Sequence, residues 1–309
     1  TVSDYCLLVA LSEERSAIRL SSTVCYDTNI VCNILQNVVV GIDKTETKYS
    51  AMVEAIPTWN STEESVELYE CYNFTEFDAK AVTAEIATRM CEVRDRLAAK
   101  APEGKLECPV VLGAPELETL FESLAHELGY AGVYNHTAAF AVGDDIQKNA
   151  VCDRATVTMC AAVKGSVRSA AFDVDGTALV DAEVIRDGRA VGLFGSARYA
   201  SYIGKKPTGN LGCIRVETGS ATDEQLKSAP YFRCASMSGL QLDIYNDYIG
   251  GEVRLAYYFD GEREIPVTGI SISGKLSDVL NHIRFSRDTA LLGNFHGPRK
   301  AVIEGMNIF

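Results

Sequence analysis

The sequence predicts an α+β fold, with an N-terminal α/β portion followed by a mostly antiparallel, β-rich C-terminal domain. Three observations predict it. Residues 76–99 repeat apolar side chains at helical spacing. A short buried strand at Cys108–Leu112 runs through Gly113-Ala114-Pro115 into a second amphipathic helix, which is the order of an α/β layer. Beyond about residue 143, short apolar and β-branched runs alternate with Gly and Asp turns. The boundary is therefore placed after residue 142, giving a partial α/β domain over 1–142 and a β-rich domain over 143–309. A chain of 309 residues with 47% hydrophobic content is long and apolar enough to support two ordinary domains with a sizeable core.

The elements follow in order. Residues 1–56 read mainly as strands, with Tyr5–Ala10, Ala17–Leu20 and Val38–Ile42 richest in apolar and β-branched residues. Pro57 to Glu64 reads as a polar break. Glu76 to Ala99 reads as a helix with Phe77, Ala81, Ile86, Met90, Val93 and Leu97 on one face, ended by Ala101-Pro102-Glu103-Gly104. Pro115 opens the next helix in its first turn and Gly129 stops it after about Leu128. Further on, Val157–Val163, Val167–Val174, Cys213–Glu217, Leu240–Tyr245, Val253–Phe259 and Val267–Ile272 read as strands. Short helices are expected at Asp223–Ser228 and Leu276–Ile283.

Charge and cysteine usage exclude some functions. The net charge of −13, from 42 acids and 29 bases, disfavours broad nucleic-acid binding, and the pairs Lys205-Lys206 and Arg299-Lys300 are too sparse to reverse that. No run approaches the apolar length of a membrane span, and Thr1-Val2-Ser3-Asp4 does not open a signal peptide. None of the ten cysteines has Cys-x-x-Cys spacing, and most lie in apolar stretches such as Met159-Cys160-Ala161. They read as buried free thiols in a reducing, cytoplasmic setting. The Asn-x-Ser/Thr triplets at Asn60, Asn73 and Asn135 then carry no glycosylation.

Leu120-Phe121-Glu122-Ser123-Leu124-Ala125-His126 is the most informative run of the chain. A zinc-hydrolase helix of the His-Glu-x-x-x-His kind offers two imidazoles as ligands and a carboxylate to activate water. Glu122 and His126 stand where the carboxylate and the second imidazole belong. Phe121 stands where the first imidazole belongs, and a phenyl ring has no lone pair to give. The same residues have a plainer reading, because Glu-x-x-x-His places an acid and an imidazole on one face of any exposed helix.

Ala171-Phe172-Asp173-Val174-Asp175-Gly176-Thr177 matches the signature of magnesium-dependent phosphatases that use one Asp as nucleophile and the next as general acid. Such a fold needs strand–helix units downstream, and the sequence after Thr177 is rich in β and Gly. Asp-Gly between apolar runs is also a hairpin signal. Of the other histidines, His136 lies beyond two glycines, His282 in an expected helix and His296 in an expected turn, and no spacing requires them to meet. There is no Gly-x-Ser-x-Gly elbow, Walker loop or Gly-x-Gly-x-x-Gly. In Tyr202 to Gly212 the density of Gly and Pro favours a defined turn. Gly204, Pro207, Thr208, Gly209 and Asn210 are candidate peptide-binding residues, with their backbone amides pairing to an extended chain, beside the reading of a connecting loop.

Taken in order, these pieces resemble the TldD/PmbA family, the so-called modulators of DNA gyrase, which comprises zinc metalloproteases and their partner subunits. The ordered set is Gly113-Ala114-Pro115, Phe121-Glu122-Ser123-Leu124-Ala125-His126, Val142-Gly143-Asp144-Asp145-Ile146, Phe172 to Thr177 and Val184-Ile185-Arg186-Asp187-Gly188. It continues through Pro207-Thr208-Gly209-Asn210, Gly250-Gly251-Glu252, Pro266-Val267, Ser271 to Leu280 and Gly297-Pro298. The resemblance runs from about residue 105 to the end. It implies that Asp173 to Thr177 is a family hairpin. It also implies that catalytic members hold zinc with two helix histidines and a later cysteine. This chain has Phe121 for the first histidine and no cysteine after Cys234. Glu122 is then a vestigial catalytic residue, His126 the only retained candidate ligand, and no metal or other cofactor is expected unless a rearranged site exists.

The expected role is a non-catalytic, PmbA/TldE-like subunit that shapes a peptide-binding chamber. It would pair with a zinc-bearing TldD-like paralogue or a second copy, take unfolded or extended peptide, and contact neither membrane nor nucleic acid directly. The alternatives are an active zinc metallopeptidase with rearranged ligands (His126, His136 and a carboxylate such as Glu122) and a magnesium-dependent phosphatase using Asp173 and Asp175.

Overall fold

The computed structural model describes residues 18–20, 26–37, 42–60, 65–76, 78–102, 104–226 and 230–309. The expected strand Tyr5–Ala10 and all but the last residue of Val38–Ile42 lie outside them. The fold is α+β and mostly antiparallel, as the sequence predicts.

The first part builds two small sheets. Ile42–Ala55 pairs antiparallel with both Tyr26–Asn37 and Glu70–Phe74. Pro57–Asn60 pairs with Ile18–Leu20 and Ser65–Glu67. The expected break at Pro57 is thus a strand as far as Asn60. Pro57 occupies its first position, where a missing N–H is tolerated, and its carbonyl accepts the Leu68 N–H at 3.1 Å.

The long helix spans Ala79–Ala98. Asp78 caps it, its carboxylate accepting the N–H groups of Lys80 at 2.9 Å and Ala81 at 3.1 Å. Its buried face is Val82, Ile86, Met90 and Val93, while Ala81 is exposed. That face rests on Pro57–Asn60, Ser65–Glu67 and the strands Tyr248–Phe259 and Glu264–Val267. The Tyr257 hydroxyl donates to Asp95 across this contact at 2.6 Å.

Two larger sheets follow. A six-stranded sheet orders Arg189–Ala190, Ala182–Arg186, Val157–Cys160, Cys213–Val216, Phe295–Pro298 and Thr289–Leu292. A nine-stranded sheet runs from Ile283–Phe285 through Lys300–Ile303, Val110–Gly113, Tyr231–Met237, Tyr248–Phe259 and Ile270–Lys275 to Asn307–Ile308, with Gln241–Asp243 and Glu264–Val267 also on Tyr248–Phe259. Each large sheet has one parallel pairing: Cys213–Val216 with Phe295–Pro298, and Val110–Gly113 with Tyr231–Met237. Tyr248–Phe259 can hold four neighbours because two shorter strands share each of its edges.

The helix Ala114–His126 lies between these sheets, touching strands of both. Leu117, Leu120, Phe121, Leu124 and Ala125 are buried. Two-sided burial explains a helix this apolar, and it leaves only a strip containing Glu122 and His126 exposed. Glu116 reaches back to accept the Gly113 N–H at 3.1 Å, fixing the strand-to-helix turn.

The structure corrects several expected elements. Val157–Val163 stops at Cys160, because the Ala161 N–H goes to Asp181 and the Val163 N–H to the Ser169 hydroxyl. Val167–Val174 is a run of turns for the same reason: Ser166 and Asp173 side chains take backbone donors that a strand would need. Val267–Ile272 splits into Glu264–Val267 and Ile270–Lys275 around Gly269 at φ 69°. The expected helix Leu276–Ile283 ends at Asn281, and Ile283 begins a strand. The helix expected at Asp223–Ser228 is present over Asp223–Leu226, and its last two residues lie outside the described residues. Tyr130–Asn135 and Ala197–Tyr202 are helices that the sequence reading leaves out; six residues each is too short for a periodic signal. No helix among the described residues is long and apolar enough to cross a membrane.

Candidate functional site

The open strip of Ala114–His126 faces a hairpin tip across a cleft of about 690 Å³, lined by Glu122, Ser123, His126, Glu127, Leu242, Asp243, Ile244 and Tyr245. The helix supplies one wall. The turn between Gln241–Asp243 and Tyr248–Phe259 supplies the other. That turn is fastened at both ends. Asp243 accepts the backbone N–H of Asn246 at 3.0 Å and its side-chain amide at 2.7 Å. These bonds hold the Asp243 carboxyl below the usual range, with the side-chain amide contributing most. Asp247, at φ 52°, accepts from the N–H and hydroxyl of Ser277, each at 2.7 Å, and so caps the helix Leu276–Asn281.

Glu127 ties the floor together. Its carboxylate accepts the Ala139 N–H at 2.7 Å and lies 3.1 Å from the Tyr245 hydroxyl, which also reaches the Thr137 carbonyl. With Glu122, Glu127 and Asp243 on its walls and no Lys or Arg among the lining residues, the cleft is acidic. Glu118, one helical turn before Glu122, is pushed up to about 7, chiefly by burial and then by the Glu122 charge, against the opposing pull of Arg168.

Phe121 does not face this cleft. It is fully buried, and its ring meets that of Phe285 at 5.7 Å between centroids, tilted 56°. Five residues along a regular helix is about 140° of rotation, so Phe121 and His126 occupy different sides of Ala114–His126. The residues present do not fit a zinc ion: a single imidazole, carboxylates not grouped around it and a buried phenyl ring are not a ligand set. Among the described residues no three His, Cys, Asp or Glu side chains are grouped to hold a metal. His136 is outside the cleft lining and ends Tyr130–Asn135 in the left-handed conformation, φ 58°. His282 Nδ1 lies 2.8 Å from the Asp278 carbonyl, and His296 sits in the strand Phe295–Pro298.

The other predicted residues are placed elsewhere. Asp173 is buried; one carboxylate oxygen accepts the N–H groups of Asp175 and Thr177, and the other accepts the N–H of Asn210 at 3.0 Å. Asp173 thus buckles its own turn to the Pro207–Asn210 loop. A single bridge, Phe172 to Ala178, closes that turn. A two-residue hairpin is instead made at Asp187-Gly188, both at positive φ. Gly204, Pro207, Thr208, Gly209 and Asn210 do not line the cleft. Thr208 is bonded to Gly195 through its N–H at 3.3 Å and its hydroxyl at 2.9 Å. Gly209, at φ 79°, passes so close to Leu179 that any Cβ would collide with it. The cysteines described are free thiols; Cys160, Cys213 and Cys234 are buried as expected, but Cys91 is exposed and Cys71, Cys108 and Cys152 are half-buried. Burial pushes the Cys108 and Cys160 thiols up to about 11, which makes them poor nucleophiles.

The sequence reading missed Tyr245 and the Leu242–Ile244 wall as parts of this site; only the hairpin connecting Gln241–Asp243 to Tyr248–Phe259 brings them to the helix.

Comparison with known proteins bears on the fold and the family. No curated protein matches the chain in sequence. Solved structures share its fold, among them the following three. A candidate modulator of a DNA gyrase from Thermotoga maritima superposes with TM-score 0.79 at 14% identity, over 100% of this chain and 73% of its own. TldE from Thermococcus kodakarensis does so with TM-score 0.72 at 15% identity, over 87% of this chain and 64% of its own. A candidate modulator of DNA gyrase from Bacteroides thetaiotaomicron gives TM-score 0.75 at 13% identity, over 99% of this chain and 70% of its own. Residues 105–309 match the family model described as PmbA/TldA metallopeptidase C-terminal domain, so the chain belongs to the TldD/PmbA family.

Proposed function

We propose that this chain is a non-catalytic subunit of a peptide-processing TldD/PmbA assembly, and that its acidic cleft forms part of the peptide-binding chamber. Its partner is a zinc-bearing paralogue or a second copy, and its substrate is unfolded or extended peptide. The observation that carries the reading is Phe121, fully buried against Phe285 at the position where a first histidine ligand would stand. The lone His126 imidazole in the cleft supports it, since one imidazole does not hold a catalytic zinc. Free thiols among the described cysteines support a reducing, cytoplasmic setting.

The test is the zinc content of the purified protein by elemental mass spectrometry, without added metal or a histidine tag, beside a peptidase assay of the chain alone and with a co-expressed paralogue. The expected result is zinc well below one per chain and chelator-sensitive cleavage only with the paralogue. Zinc at about one per chain, with cleavage by the chain alone, overturns the proposal and directs attention to His126, His136 and Glu122 as rearranged ligands.

A further inference from the structure

We propose a second docking surface, on the paired helices Tyr130–Asn135 and Ala197–Tyr202, for an extended acidic polypeptide segment that carries aromatic or aliphatic side chains among its carboxylates. Tyr134, Tyr199 and Tyr202 form one ring cluster, with centroids 4.9 Å apart for Tyr134–Tyr202, 5.8 Å for Tyr134–Tyr199 and 6.0 Å for Tyr199–Tyr202. Tyr134 and Tyr202 are 46% and 52% exposed. A cluster of large amphipathic rings left in water is the composition of a recognition surface.

Cations frame these rings. The Arg198 guanidinium lies 5.8 Å from the Tyr199 centroid, and its Nε–H donates to the Tyr202 hydroxyl oxygen at 3.3 Å. Gly204, left-handed at φ 66°, ends the helix Ala197–Tyr202, and the Lys205 N–H returns to the Ala200 carbonyl at 2.9 Å. Lys205 and Lys206 follow directly on that turn, both exposed. Among the described residues, none of Arg198, Lys205 and Lys206 forms an ion pair with a carboxylate. Asp175 reaches Arg198 only through a weak field.

In a chain of net charge −13, an arginine on an exposed aromatic cluster with two exposed lysines in the next turn is the complement of a negatively charged, partly apolar segment. A nucleic acid fits less well, because three cations release few counterions and the exposed rings call for apolar side chains among the charges. This surface does not depend on the cleft reading. It involves neither Glu122 nor His126.

Fluorescence anisotropy tests it, using a labelled peptide of Glu, Asp, Tyr and Leu, the same peptide with Lys for its acids, and oligothymidylate. Arg198→Ala, Tyr202→Ala and the double change Lys205→Glu with Lys206→Glu are compared with the parent after circular dichroism shows each is folded. The acidic peptide is expected to bind and to weaken with salt. Arg198→Ala and the double lysine change are each expected to weaken it about fivefold or more. Unchanged binding in these variants, or no binding to the parent, overturns the proposal. So does tighter binding of the Lys peptide or of oligothymidylate. Loss of binding on His126→Ala, with the patch variants unaffected, places the peptide in the cleft instead. Self-association of the parent that Tyr202→Ala abolishes makes the patch an interface between copies and also overturns it.

Discussion

Replacing Phe121 by alanine tests the feature on which the functional reading turns. The ring is fully buried between two sheets and stacked at an angle on Phe285. Truncating a buried phenylalanine costs about 3–5 kcal/mol, the lost transfer free energy plus the cavity left behind. The upper part of that range is expected here, because Ala114–His126 is held on both flanks and cannot sag into the void. About 4 kcal/mol is a large share of a typical stability of about 5–15 kcal/mol. With a urea m-value of about 3 kcal/mol per molar, the unfolding midpoint falls by a little over 1 M. Phe285→Leu in the same background should show coupling of about 0.5–1.5 kcal/mol in a double-mutant cycle. Equilibrium urea unfolding followed by circular dichroism gives both numbers. A midpoint drop below about 0.3 M, or roughly 1 kcal/mol on the same m-value, would falsify the placement. It would mean that the ring of residue 121 is not packed between the sheets.

Other expectations follow from the same geometry. Glu118 titrates near 7 when folded, against 4.5 when unperturbed. The unfolded chain therefore releases this proton first, so the group's contribution to stability declines between about pH 4.5 and 7 and stays low above that. Urea midpoints at pH 5 and pH 8 should show Glu118→Gln gaining on the parent at the higher pH, and an equal gap at both values refutes the assignment. Asp173→Ala strands three backbone N–H groups and should cost about 2–4 kcal/mol in thermal unfolding. A change under about 1 kcal/mol means that water takes over those bonds without loss. Asp247→Ala frees the hairpin tip from Leu276–Asn281 at a cost of about 1–2 kcal/mol. Faster amide exchange at Asp243–Asp247, measured by mass spectrometry, should accompany it.

Legibility in the sequence followed the range of the interactions. Glu122 and His126 could be placed on one open strip because an i,i+4 pair is local, and Pro115 with Gly113 fixed where their helix begins. The long helix was readable for the same reason, although its buried face turns on Val82 rather than Ala81. Tyr245 was not readable as a cleft residue: the hairpin that delivers it closes over a helix far away in the chain, and nothing in the residues around 245 points to residue 127. Val167–Val174 misled because β-branched composition was weighed while the serine and aspartate side chains that divert its backbone donors were not. Among the described residues, Phe121 carried the plainest message. A residue that cannot ligate metal stands where the family resemblance expects a ligand, and it is buried against Phe285.

The position of Val110–Gly113 has a consequence for how such a chain matures on the ribosome. Its two neighbours in the sheet, Tyr231–Met237 and Lys300–Ile303, are both synthesised long after it. The helix that follows it therefore emerges with its apolar sides bare and must wait for strands near the end of the chain before both are fully covered. Such late, long-range pairing makes folding slow and the nascent chain prone to association. A stop codon that removes Lys300–Ile303 should leave a product captured by chaperones rather than a slightly shortened protein.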